Sequence, residues 1–125
     1  MERITIKDAL EMTPGKLVSY LQKLCYVEIP PSVESVDDMK TAAKTLSTCA
    51  SIYSYLINMK LMANIQKRSL KRDGADKKLV EDALIKEEIF DSYAKMIDTA
   101  YSATSRMVTI RQQVTTELRM LGNMT

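Results

Sequence analysis

Apolar side chains recur every third or fourth residue along most of this chain. Between Pro31 and Gly122 only one helix breaker, Gly74, interrupts them. Met39, Ala43, Leu46, Ala50, Tyr53 and Ile57 step by four and three, a heptad-like seam on a first long helix. Beyond Asp76, a plausible N-cap residue, the rhythm continues through Phe90, Tyr93, Ile97, Ala100, Thr104, Met107, Arg111, Val114, Leu118 and Leu121. A second row of Ile89, Met96, Ala103 and Ile110 widens that stripe beyond a two-position seam. Gly122-Asn123 is expected to cap the second helix. At the standard rise the two helices measure on the order of 55 and 65 Å.

The N-terminal part is more punctuated. Thr5-Ile6-Lys7-Asp8 has the form of a capping box and opens a helix of about two turns. Thr13 caps the next one, with Pro14 at the first helical position, where its missing N–H is not needed. Leu17, Val18, Leu21, Leu24 and Cys25 form one apolar stripe, and Pro30-Pro31 ends the region. Ser32 or Ser35 is expected to cap the first long helix, and Ser35-Val36-Asp37-Asp38 is again box-shaped. The expected fold is all-α. Residues 1–31 form a short helical arm or cap, and residues 32–125 form a long antiparallel, coiled-coil-like hairpin turning near Gly74.

A lone hairpin cannot bury so wide a stripe along its whole length. Homo-oligomerisation is therefore expected, with Tyr93, Ile97, Ala100, Met107, Val114, Leu118 and Leu121 as core and assembly seam. The nine methionines fit a deformable core or interface.

Composition narrows the chemistry. No apolar run has the length of a membrane span, and the first residues lack a signal peptide's apolar core, which points to the cytoplasm. Histidine is absent, removing the commonest general base and metal ligand, and three glycines leave no phosphate-cradling loop. Glu87-Glu88 with Asp91, and Asp37-Asp38, read as solvated acidic faces, because no Glu-x-x-His partner accompanies them. No enzyme, cofactor or metal is expected. Cys25 and Cys49 are expected as buried free thiols.

The charged residues carry the functional signal. Lys60, Lys67, Arg68, Lys71, Arg72, Lys77 and Lys78 crowd the turn, interrupted by Asp73 and Asp76. Such a cluster neutralises phosphates and releases condensed counterions. The competing reading is cross-helix ion pairing. With partners summing to about 149 across an antiparallel turn, Arg68 faces Glu81, Lys67 faces Asp82, Lys60 lies near Glu88 and Arg111 faces Asp38. Lys71, Arg72, Lys77 and Lys78 then remain unbalanced. Among the aromatics, Tyr53, Phe90 and Tyr93 fit the core seam, while Tyr55 and Tyr101 lie off it and are candidates for base stacking.

The run Ile52-Tyr53-Ser54-Tyr55-Leu56, followed by Lys60, Ile65-Gln66-Lys67 and Leu70-Lys71-Arg72, resembles the first long helix of the phage recombination-mediator family of the UvsY type. Ser105-Arg106-Met107-Val108-Thr109-Ile110-Arg111-Gln112 is similar to a Ser-Arg-x-x-x-Ile-basic stretch in that family's second long helix. The resemblance spans roughly residues 45–113 and implies a helical-hairpin oligomer that binds single-stranded DNA. It further implies help in loading a RecA-like recombinase onto DNA coated by single-strand-binding protein, in a bacterial host's cytoplasm. In that family a Leu-Lys-x-Arg-like motif contacts DNA; here Leu70-Lys71-Arg72 stands in without the intervening residue. Two other functions suit the same fold: a small helical module inhibiting a host defence or replication enzyme, or a coiled-coil structural assembly protein.

Overall fold

A computed structural model describes residues 2–124 and is all-α. Four helices follow one another: α1 (Ile6–Glu11), α2 (Pro14–Leu24), α3 (Val36–Arg72) and α4 (Lys77–Met124). No strand occurs among the described residues, and none of their helices is long and apolar enough to cross a membrane. Packing divides the chain into two compact units, Met1–Tyr26 with Ser51–Ile97, and Val27–Ala50 with Asp98–Thr125. The division therefore does not separate an arm from a hairpin, because each unit takes in part of both long helices.

The helix starts form as their sequences dictate. Thr5 Oγ1 accepts from the Asp8 N–H and Thr13 Oγ1 from the Lys16 N–H, both at 3.3 Å. At α3 the box is reciprocal. Asp38 N–H donates to Ser35 Oγ at 3.1 Å, while Asp38 Oδ2 accepts from the Ser35 and Glu34 N–H groups at 3.1 and 3.0 Å. Those bonds hold the Asp38 carboxyl below its ordinary range.

In the first unit, α1 and α2 lie with residues 51–72 and 77–97 of the long helices. Leu17, Leu21, Ile52, Leu56, Phe90 and Ile97 fill the core. Residues 2–5 are stitched down by two tyrosines. Tyr20 Oη donates to the Glu2 carbonyl (3.0 Å) and accepts from the Ile4 N–H (3.1 Å), and Tyr55 Oη donates to the Ile4 carbonyl (2.8 Å). The Arg3 guanidinium lies 5.3 Å from the Tyr55 ring centre and donates to Ser51 Oγ. Lys86 is 1% exposed. Its stem is packed inside, and its ammonium meets Asp82 Oδ2 at 2.6 Å and the Leu10 carbonyl at the end of α1. A six-residue helix such as α1 is marginal alone, and this cation at its end helps to hold it in place.

The second unit buries Pro30, Val33, Ala42, Thr45, Cys49 and Thr104. Thr45 Oγ1 donates to the Glu28 carbonyl at 2.7 Å, tying the segment before α3 to the third turn of that helix. Both cysteines are buried free thiols, as their positions predicted, and burial pushes the Cys25 thiol up to about 11.

Two expectations change. The buried row of α3 is Ala42, Thr45, Cys49, Ile52, Leu56, Met59 and Ala63, one residue before the expected seam. Ala43, Ala50, Tyr53 and Ile57 are exposed instead. On α4 the phase holds: Ile97 is buried and Tyr93, Ala100 and Met107 are half-buried, but Val114, Leu118 and Leu121 lie exposed. In addition α4 runs through Gly122-Asn123 to Met124, since glycine permits a left-handed stop without enforcing one.

Gly74 ends α3 differently. At φ 69° it is left-handed, the Gly74 N–H bonds the Lys71 carbonyl, and the Ala75 N–H bonds the Leu70 carbonyl at 3.0 Å, the pair of bonds of a Schellman stop. Gly74→Ala should destabilise by about 1–2 kcal/mol through the left-handed Cβ penalty alone, because a Cβ there meets no neighbour. Gly122→Ala, also unobstructed, should be neutral or stabilising by no more than about 1 kcal/mol. Urea unfolding of the two variants checks the opposite signs. Lys86→Met keeps the packed stem but strips the Leu10 carbonyl of its donor, at about 1–3 kcal/mol. Hydrogen exchange should then rise selectively in residues 6–11.

Candidate nucleic-acid interface

The seven cations predicted around the turn divide into two groups. Lys60 Nζ meets Asp91 Oδ1 at 2.8 Å, and Lys95 holds the other oxygen of that carboxylate at 3.0 Å. Lys67 Nζ meets Glu87 Oε2 at 2.7 Å, and Asn64 Nδ2 donates to Oε1 of the same carboxylate at 3.0 Å. The Lys67 bond, then the Asn64 bond, hold the Glu87 carboxyl below its ordinary range. Asp91 is held low by Lys60 and then Lys95, and Lys60 is raised in return. Lys60 and Lys67 are thus structural cations of the hairpin.

The partners differ from those counted outward from Gly74. Lys60 takes Asp91 in place of Glu88, and Lys67 takes Glu87 in place of Asp82, which pairs within its own helix with Lys86. A count about the turn fixes level along the axis and ignores helical phase. Only acids on the flank of α4 that faces α3 can close such bonds. No ion pair joins Arg68 to Glu81 or Arg111 to Asp38 among the described residues.

Arg68, Lys71, Arg72, Lys77 and Lys78 remain, all exposed and without an ion pair among the described residues. Only Asp73 and Asp76 stand between them, and Asp76 Oδ1 accepts the Lys78 N–H at 3.3 Å as the cap of α4. Two of these cations oppose local preference. Lysines suit the end of α3, but Lys77 and Lys78 occupy the first turn of α4, which carries no acid. Their charge adds to the positive end of the helix dipole.

Aromatic stacking does not contribute at this tip, because residues 68–78 contain no aromatic side chain. Tyr55, expected as a stacking candidate, is half-buried with its hydroxyl bonded to Ile4, and its burial pushes its pKa well up. Tyr53, expected in the core, is exposed, as is Tyr101; Phe90 is fully buried. Among the described residues no cluster of acids, thiols or histidines is arranged to hold a metal ion.

No protein-family model matches the chain, and neither a curated protein nor a solved structure shows significant similarity to it.

The lowered carboxyls of Glu87, Asp91 and Asp38 set an acid limit. Their stabilisation is complete above the unfolded values of about 4 and is lost as pH falls through the lower folded values. The raised Cys25 and Cys49 thiols act oppositely, their stabilisation fading as pH rises past an unfolded value of about 8.5. With no histidine to titrate between them, thermal midpoints should form a plateau from about pH 5 to about pH 8. Glu87→Gln should flatten the acid-side fall in a calorimetric series.

Proposed function

We propose that this chain is an accessory protein of DNA recombination or replication, of the phage type its long helices resemble. It holds single-stranded DNA at the hairpin turn and assists loading of a RecA-like recombinase on strands coated by single-strand-binding protein. One observation carries the DNA-binding part: five exposed cations at the turn have no ion-pair partner among the described residues, while Lys60 and Lys67, the other two cations of the cluster, are paired. Unpaired bases at an exposed turn neutralise successive phosphates without intramolecular competition. The absence of aromatics at the turn makes this capture electrostatic and indifferent to base identity. The recombinase and single-strand-binding protein are inferred from the resemblance.

Self-association belongs to the same reading. Val114, Leu118 and Leu121 share one face of α4 and are exposed, Leu118 and Leu121 by 61% each. Such a row is stable in water only at a cost that a second copy would relieve.

Four or five phosphate contacts on a single strand give a slope of log affinity against log salt of about −3. Joint reversal of Lys71, Arg72, Lys77 and Lys78 to Glu should abolish binding of a labelled oligothymidylate and flatten that slope. Lys60→Gln, which alters a paired cation, should leave the slope near its starting value. Undiminished oligonucleotide binding by the fourfold variant, with helical content intact by circular dichroism, would rule the reading out.

A further inference from the structure

The second unit contains a groove of about 540 Å³ between the first turn of α3 and the later turns of α4. Arg111, Gln112 and Arg119 form one wall; Glu34, Val36 and Met39 form the other. Arg111 and Arg119 lie on the same side of α4, two turns or about 12 Å apart along its axis. Neither forms an ion pair among the described residues. Arg111 is half-buried in a row that is otherwise largely apolar, where an uncompensated guanidinium is costly. Asp38, whose Oδ2 accepts from the Glu34 and Ser35 N–H groups, forms no ion pair with it among the described residues. Thr115 and Thr116 do not supply donors either, because their hydroxyl protons go to the Arg111 and Gln112 carbonyls. The side-chain donors left among the groove's lining residues are the two guanidiniums, the Gln112 amide and the Ser35 hydroxyl.

We propose that this groove takes an acidic peptide segment of a partner protein, its carboxylates on Arg111 and Arg119 and an apolar side chain against Val36 and Met39. Val36 is 72% exposed, an apolar anchor point opposite the cations. Guanidiniums suit carboxylates because the planar fork donates two parallel bonds. A nucleic-acid strand fits less well. Glu34 and the exposed Asp37 repel a continuous run of phosphates, and no aromatic lines the groove. A peptide places its carboxylates singly and turns backbone N–H groups toward Glu34. This inference uses no residue of the hairpin turn and stands apart from the DNA-binding reading.

Fluorescence anisotropy with a fluorescein-labelled peptide of Glu-Leu-Glu-Ala repeats tests it on the full chain. Saturable binding is expected at low salt, with Arg111→Gln and Arg119→Gln each weakening it about tenfold. Arg119 is exposed near the end of α4, so its variant folds whatever Arg111→Gln does. The variant reversed at Lys71, Arg72, Lys77 and Lys78 should bind the peptide as the parent does, which separates this site from the turn. Three results would overturn the proposal: no binding by the parent chain, equal binding of a peptide with Gln for Glu, or binding unchanged by both arginine variants. Displacement of the peptide from the turn-reversed variant by oligothymidylate would also overturn it, making the groove a phosphate site.

Discussion

Reversal of the chain at Gly74 requires one residue at φ 69°, a conformation that costs any side chain with a Cβ. Two backbone bonds to the Leu70 and Lys71 carbonyls complete the stop, and α4 begins at Lys77. So short a connection brings the last turn of α3 and the first turn of α4 to the same place. Lys71 and Arg72 are favoured where they stand, because they face the negative end of α3. Lys77 and Lys78 are not favoured at the start of α4. A tight turn therefore concentrates positive charge that neither helix neutralises, and the only acid bonded into the connection, Asp76, acts as a cap. Below the turn the opposite holds. Asp91 and Glu87 each take two donors, so the hairpin's flank is closed by bonds within the chain.

The sequence revealed α3 and α4 but misplaced the contact face of α3, for a reason that lies in its composition. Two adjacent rows of this helix are apolar at heptad spacing. One runs through Ala43, Leu46, Ala50, Tyr53 and Ile57, and the other through Ala42, Thr45, Cys49, Ile52 and Leu56. Large side chains made the first row look like the core. Extending each row would have separated them. The first runs on into Lys60, Asn64 and Lys67, whereas the second reaches Met59 and Ala63 without meeting a charge. Continuity over many turns discriminates better than residue size, because small buried residues allow close helix approach and large exposed ones carry no such constraint. On α4, Phe90 and Ile97 fixed the phase correctly: both are buried, while Met96 and Ile110 of the adjacent row are exposed.

Features that depend on distant partners were not legible. Lys86 reads as a surface lysine until α1 is placed against it; nothing near it in sequence announces that Leu10 will need a donor. Tyr20 and Tyr55 likewise anchor residues 2–5 through hydroxyl bonds that no spacing encodes. Gly122 shows the converse limit. Glycine near a helix end is a frequent stop signal, yet the left-handed step needs a following chain that gains by turning, as at Gly74.

Arg111 illustrates how a misassigned pair becomes a functional clue. Its place in the α4 seam implied an acid across from it, and Asp38 stood at the matching level. Asp38 is instead the third residue after the Ser35 cap, where a carboxylate closes two backbone N–H groups at once. Local capping bonds form with the helix itself and need no long side chain to be ordered, so the start of α3 sets the position of this carboxylate, and no ion pair to Arg111 forms. The guanidinium left over is half-buried and keeps its demand for an anion. The same competition at the turn, where Asp76 caps α4 while the lysines beside it stay unpaired, yields the same outcome. In both places a carboxylate bonds backbone N–H groups at a helix start, and the cations near it form no ion pair among the described residues.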